Sequence, residues 1–309
     1  MSVQDPSEAD TAEHKPYVEG DSEPELEDPP LSSRVRVNVG AVTDRGKKRS
    51  NNEDSYLVAR FGRAMEPLLT NLPPEDLPSD FRETGYGIVV ADGMGGHAAG
   101  DVASRMAIRT LVKRVINLPD WILRFDAQQE KRAMRRADEH YRRVHEAVKE
   151  RAAADPGLEG MGTTMTVATI LGADGIVAHV GDSRAYLYRE GKLHQITKDQ
   201  TQAQLLLDAG IISKEEFSKH QYRHVLLQAI GGRGGLVEVE VQRMRFRNDD
   251  RLLLCTDGLT DMLNDEKIAE VLARGKSSQD TCDALLELAL EAGGHDNITI
   301  VLAHLNIPK

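Results

Sequence analysis

The chain has 309 residues and a formal net charge of −11, and its two cysteines, Cys255 and Cys282, exclude a disulfide framework or a thiolate zinc site. The first 30 residues hold ten Asp or Glu against one Lys, so the remaining body carries only about −2, and neither part offers the basic surface that a nucleic-acid partner demands. No apolar run approaches the roughly 20 residues of a membrane span, and the start lacks the basic-then-apolar pattern of a signal peptide, so no membrane association and a cytoplasmic location are expected.

Residues 1–32 are acidic, contain several prolines and lack an apolar period. They read as a disordered tail, because such a segment cannot bury enough apolar surface to offset chain entropy. From residue 33 to 309 the pattern is that of a folded domain. Val35, Val37 and Val39 alternate with Arg36 and Asn38 as in a half-buried strand. A second strand runs from Tyr86 to Ala91, and the Pro- and Glu-rich stretch from Arg63 to Thr84 reads as a surface loop or insertion. Helical spacing follows over Ala98 to Asn117, then over Ala127 to Ala153, where Met134, Ala137, Tyr141, Val144 and Val148 share a face.

Strands then dominate. Thr164–Leu171 and Ile176–Val180 form one expected hairpin, and Ser183–Tyr188 and Leu193–Thr197 another. Lys198 to Ile230 reads as helical, broken at Gly210. Val237, Val239 and Val241 alternate with Glu238 and Glu240, and Arg243 shifts the parity in a way that predicts a bulge. A strand at Leu252–Thr256, a helix near Ser278–Ala292 stopped by Gly293-Gly294, and a strand at Ile298–His304 complete the chain. Consecutive strands joined by tight turns imply antiparallel sheets, and helices in separate blocks imply an α+β layered fold.

Five segments place an Asp at the end or edge of an apolar strand, often beside Gly: Asn52-Glu53-Asp54, Ala91-Asp92-Gly93-Met94-Gly95-Gly96-His97, Val180-Gly181-Asp182-Ser183-Arg184, Cys255-Thr256-Asp257-Gly258-Leu259 and His295-Asp296-Asn297. Carboxylates gathered on one sheet edge need a compensating cation, since unpaired buried charge is costly. All-oxygen ligand sets favour hard ions such as Mg²⁺ or Mn²⁺. An Asp-Gly pair alone is most often a plain turn; five such segments in one chain carry the signal. The Gly93–Gly96 run lacks the Gly-Lys-Ser/Thr of a nucleotide loop.

The order and wording of these motifs resemble the PP2C (PPM) family of metal-dependent phosphatases in its bacterial form, from about Arg34 to Leu305. Thr43-Asp44-Arg45-Gly46, Arg49-Ser50-Asn51-Asn52-Glu53-Asp54, Asp92-Gly93-Met94-Gly95-Gly96-His97, Gly162-Thr163-Thr164, Gly181-Asp182-Ser183-Arg184, Thr256-Asp257-Gly258-Leu259 and Asp296-Asn297-Ile298-Thr299 all match in order. The resemblance implies a central antiparallel β-sandwich flanked by pairs of antiparallel helices, in four layers. It implies hydrolysis of phosphoserine and phosphothreonine in proteins by a metal-activated water, reversing the work of a Ser/Thr protein kinase, with two core Mn²⁺ or Mg²⁺ ions and a third, weaker one.

Residue by residue, the resemblance implies that Asp92 bridges two ions, that the Gly93 carbonyl completes one shell, and that Asp257 and Asp296 are direct ligands. Glu53 and Asp54 act at or near the ions, and Asp182 with Asp257 matches the third-ion position. Arg49 grips the substrate phosphate. Water as nucleophile leaves Ser183, Cys255 and Cys282 structural. Many members carry a His directly after the second motif's Asp-Gly, as leaving-group acid; here Met94 stands there and His97 comes later, where it reads as a structural residue at a helix start before a general acid, and a third-metal water is the other proton donor. Residues 198–232 match a flap beside the active site, where His220-Gln221-Tyr222-Arg223-His224 departs from the common His-Pro-x-Arg-Asn. A monomer acting on phosphorylated proteins is the expected form.

Overall fold

The computed structural model describes residues 34–66, 68–73, 76, 81–95, 99–117 and 127–308. The expected tail, residues 1–32, lies outside them. One five-stranded sheet has the order β1 (Arg36–Asp44), β13 (Ile298–Asn306), β12 (Arg251–Cys255), β8 (Arg184–Arg189), β9 (Lys192–Gln195). The other has the order β11 (Glu240–Arg245), β7 (Asp174–Val180), β6 (Met165–Leu171), β3 (Phe81–Ala91), β2 (Ser55–Met65). A small third sheet joins β10 (Ile230–Gly231), β5 (Gly162–Thr163) and β4 (Gly93–Met94). Every strand pairing is antiparallel.

Successive side chains of a strand point to opposite faces, so a strand covered on both sides reads as continuously apolar. That is what the central strands do. Ile88 and Val90 face the space between the sheets with Leu252, Leu254, Val301 and Ala303. Their neighbours Val89 and Ala91 face the other way, onto α1 (Ala99–Ile116) and α2 (Ala127–Ala153), with Ala103, Ala107, Tyr141, Val144 and Val148. Across the sandwich, Leu253, Cys255, Ile300 and Leu302 face α6 (Asp265–Ala273) and α7 (Ser278–Glu291), through Ile268, Leu272, Cys282 and Leu285. The result is four layers, helix–sheet–sheet–helix, as expected. The Tyr141 hydroxyl donates to the carbonyls of Met165 and Ala178, at 3.1 and 2.6 Å, and so pins α2 to adjacent strands.

Several expectations are corrected. Strand β2 was not anticipated: Leu57 packs under the helices and Val58 between the sheets, while Arg60 and Arg63, one on each face, are exposed, so no alternation shows. The hairpin of β2 and β3 reaches Met65 and restarts at Phe81, so the connection is shorter than Arg63–Thr84. Met134 is exposed and does not join the buried face of α2. Residues 198–230 contain only α3 (Gln202–Asp208) and α4 (Lys214–Phe217) as helix. Backbone groups of residues 222–227 bond to residues 200–203 instead of closing helical rings: Gln202 donates to Val225, Ala203 to Tyr222 and Leu227 to Gln200. There is no bulge at Arg243, which pairs in register with Ile176. Helix α6 was missed although Asn264 caps it at the Lys267 amide and Ile268, Val271 and Leu272 keep helical spacing. The end of α7 is as expected: Gly293 and Gly294 take positive φ, and their amides satisfy the carbonyls of Leu290 and Ala289.

Among the described residues no helix is long and apolar enough to cross a membrane. Leu254 is fully buried between the sheets. Leu254→Ala should cost about 2–5 kcal/mol of stability, read as a lowered midpoint in urea with the same slope.

Candidate metal centre

The two sheets expose one common end, and the loops there carry the acidic motifs. Asp54 immediately precedes β2, Asp92 lies between β3 and β4, and Asp182 sits in the turn from β7 to β8. Asp257 opens the short helix α5 (Asp257–Thr260) that follows β12, and Asp296 lies two residues before β13. Arg49, Glu53, Asp92, Gly93, Asp182, Asp257 and Asp296 line a single cavity of about 870 Å³. Asp54 is buried behind its wall.

Hydrogen bonds hold these loops in place. The Asp92 carbonyl accepts from the Thr164 amide at 2.9 Å and the Thr163 hydroxyl at 2.7 Å, while the Asp92 amide donates to Thr164 Oγ1 at 2.9 Å. Thr164 in turn bonds to Ser183 at 2.8 Å, tying the Asp92 turn to the Asp182 turn. Asn297, 5 % exposed, ties its own loop to the connection between β1 and β2 at three points. Its side chain donates to the carbonyls of Arg45 and Asn51, at 2.9 and 2.8 Å, and accepts from the Glu53 amide at 2.8 Å. Thr256 donates to Asp54 Oδ2 at 2.9 Å and accepts from the Thr299 amide. Gly93 must be glycine: a Cβ there would run into the carbonyls of Gly100 and Glu53.

The electrostatics are dominated by crowded acid groups. Burial, and next the charge of Asp54, push the Asp92 carboxyl well above its usual range. Burial lifts Asp54 to about 7, with Asp257 and Asp296 adding to the rise. Asp182 is raised by burial and then by Asp257 and Asp199. Glu53 is raised by burial, against the pull of Arg49. Arg49, more than half exposed, donates to Asp296 Oδ2 at 2.6 Å and points its charge into the cavity.

Among the described residues, Asp54 Oδ1 and Asp257 Oδ1 are the buried side-chain polar atoms that accept no hydrogen bond. A buried acceptor left without a partner costs about 1–3 kcal/mol, more if charged. Oxygen donors of one sign, two of them unsatisfied, packed on rigid turns, fit hard divalent cations.

Ser183, Cys255 and Cys282 are fully buried, and burial holds the Cys255 thiol up at about 12, which suits structural and not nucleophilic roles. His97 lies outside the described residues. Two cavity residues went unassigned in the sequence. His224 places Nδ1 3.3 Å from Asp257 Oδ2 and Nε2 3.3 Å from Asp261 Oδ2, and Arg223 also reaches Asp261 at 3.3 Å. The only sequence signal was the departure of His220–His224 from the common flap wording.

The comparisons with known proteins agree with this geometry. A family model described as protein phosphatase 2C matches residues 70–291. This chain belongs to the protein phosphatase 2C family. The serine/threonine protein phosphatase PstP of Mycobacterium tuberculosis is 38% identical over 270 residues, covering 86% of this chain and 45% of that protein. The chain thus spans about half the length of that relative. The serine/threonine phosphatase stp of Listeria welshimeri is 35% identical over 272 residues, covering 86% of this chain and 94% of that protein. A crystal structure of the PstP catalytic domain in complex with two manganese ions superposes with a TM-score of 0.68 at 34% identity, over 88% of this chain and 99% of that one. The PP2C neighbours share the antiparallel sandwich and its helical layers.

The raised carboxyls predict how the metal-free PP2C domain responds to pH. A folded-state value above the unfolded one means that the fold favours the protonated form. That stabilisation is complete below the unfolded value of about 3.9 and is lost as pH climbs through the folded value, about 7 for Asp54. In EDTA, the melting temperature should fall as pH rises from about 5 to about 8. Mn²⁺ should raise it most at the upper end. Differential scanning fluorimetry across that range, with and without metal, checks both signs.

Proposed function

We propose that this chain is a divalent-metal-dependent protein phosphatase that hydrolyses phosphoserine and phosphothreonine. The observation that carries this reading is the cavity itself: Asp92, Asp182, Asp257 and Asp296 line it with Asp54 buried close by, two of these five carboxylates have an unsatisfied buried oxygen, and Arg49 stands at the same wall. Residues 33–309 act as the catalytic domain and residues 198–232 as the segment flanking its mouth. Residues 1–32 are a tail outside the catalytic fold. The substrates are phosphorylated proteins, and the activity opposes a Ser/Thr protein kinase. A cytoplasmic monomer fits the composition.

Asp92, with its position between β3 and β4 fixed by Thr163 and Thr164, is the residue that would bridge two Mn²⁺ or Mg²⁺ ions. Asp257 and Asp296 would be further direct ligands, together with the carbonyl of Gly93. Glu53 and Asp54 would support the ions at close range, and Asp182 with Asp257 would hold a third, weaker one. When bound, the ions supply Lewis acidity that polarises a water and offsets phosphate charge. The chain's own contribution is positioning. Arg49 presents a planar fork of N–H donors suited to phosphate oxygens. Asp296 holds that fork at the rim until phosphate arrives, and Asn297 fixes the loops that carry both residues.

Hydrolysis of p-nitrophenyl phosphate and of a phosphothreonine peptide, with Mn²⁺, with Mg²⁺ and with EDTA, tests the reading. Turnover should require metal, and its absence with every divalent ion would overturn the proposal. Asp92→Asn should lower kcat by several orders of magnitude while circular dichroism stays native. Arg49→Ala should act mainly by raising KM, through the loss of charge-assisted hydrogen bonds worth about 1.5–3 kcal/mol; an unchanged KM would remove Arg49 from phosphate binding.

A further inference from the structure

His224 stands apart from the expected acidic set. It lies in the segment 198–232, and its backbone neighbourhood is fastened to the start of α3 by the bonds from Gln202 to Val225 and from Ala203 to Tyr222. This attachment brings the imidazole to the cavity wall. There, one ligand atom each from Asp182, His224 and Asp257 lie within 4.8 Å of one another. Ligands about 2.1 Å from one ion stand about 3–4.3 Å apart, so a small inward shift closes the set. Asp182 is 8 % exposed and opens onto the cavity, and Asp257 Oδ1 is buried without a hydrogen-bond partner.

We infer that His224 is a protein ligand of the outer divalent ion, joining Asp182 and Asp257 through Nδ1, and that metal binding there fastens residues 218–227 across the cavity. This rests on the reading of the cavity as a divalent-metal centre, and adds to it a nitrogen donor from outside the acidic motifs.

The surroundings of the ring support the assignment. A histidine that binds metal through one nitrogen is usually oriented by a carboxylate at the other. Nδ1 faces Asp257, and Nε2 faces Asp261 Oδ2 at 3.3 Å, which supplies that orienting group. Arg223 Nε donates to the same Nε2 at 2.8 Å in this structure; when Nδ1 takes the ion the ring proton moves to Nε2, which then donates to Asp261, and Arg223 Nε gives up its bond to the ring. Arg223 keeps its own tie to Asp261 through Nη2. An imidazole also changes metal preference. Carboxylates suit Mg²⁺ and Mn²⁺ alike, whereas an imidazole nitrogen is a poor ligand for hard Mg²⁺ and is accepted by first-row transition ions such as Mn²⁺ and Zn²⁺. The outer site of this chain should therefore discriminate against Mg²⁺.

The test reads metal directly, without turnover. Full-length protein is loaded with Mn²⁺, and pulsed electron paramagnetic resonance records ¹⁴N modulation from a coordinated imidazole. Wild type should show the modulation; His224→Ala and His224→Asn should lose it. Calorimetry should show Mn²⁺ affinity at the weakest site falling by at least the about 10- to 100-fold that loss of an orienting partner alone costs, with the tighter sites and Mg²⁺ binding unchanged. Mn²⁺ should also slow backbone hydrogen exchange over residues 218–227 in wild type and not in either variant. Far-UV circular dichroism confirms that both variants are folded. Undiminished ¹⁴N modulation, or wild-type Mn²⁺ binding in both variants, overturns the inference. Phosphatase turnover without His224-dependent modulation rejects this ligand and leaves the proposed function standing. Modulation without turnover does the reverse.

Discussion

Five aspartates occupy one end of the sandwich, and their mutual repulsion is the constraint on which the remaining structure depends. Asp92 and Asp54 are each pushed toward the neutral form, first by burial and then by the neighbouring charges. Such an arrangement is unfavourable for folding unless something holds the loops together against it. Cations do so from inside the cavity when bound. The protein does so from outside, with a shell of Thr and Asn side chains that hydrogen-bond from loop to loop, Asn297 alone reaching three backbone groups.

That shell is rigid because the strands behind it are. Every central strand is covered on both faces, so a shift of one residue in register would move a whole row of side chains from one core to another. Val89 and Val90 belong to different cores although they are adjacent in sequence. The turns that follow such strands start from fixed points. Asp92 emerges from β3 and Asp257 from β12, strands in opposite sheets, yet both reach the same cavity. A deep core on each side of each sheet thus sets the positions of the acid groups to the tolerance that ion coordination demands.

The segment 198–232 is built on different terms. It has two short helices and few buried apolar side chains, its residues 222–227 bond back to residues 200–203 within the segment, and Arg223 and His224 reach Asp257 and Asp261. Its two ends are tied to the sandwich by Asp199 on Arg184 and by the pairing of Ile230 and Gly231 with β5, while its middle reaches the sandwich end through carboxylates that face the cavity. Asp257 is thus shared between the cavity and the segment.

The sequence by itself determined the layered α+β class, both long helices, most strands and the acidic motifs, because each is written in local periodicity or in a short run of Asp and Gly. Antiparallel order followed from tight turns such as Ala173-Asp174-Gly175. Strand β2 escaped, since each of its faces mixes apolar residues with an arginine and leaves no alternation to read. The helical reading of residues 198–230 failed because the backbone there bonds to distant residues, and local pattern is blind to such partners. Only the tertiary structure brought His224 beside Asp182 and Asp257, joined the β1–β2 connection to the loop before β13 through Asn297, and left two carboxylate oxygens buried without partners. These are relations between segments far apart in the chain. They arise from packing of the two sheets, which no window of the sequence contains.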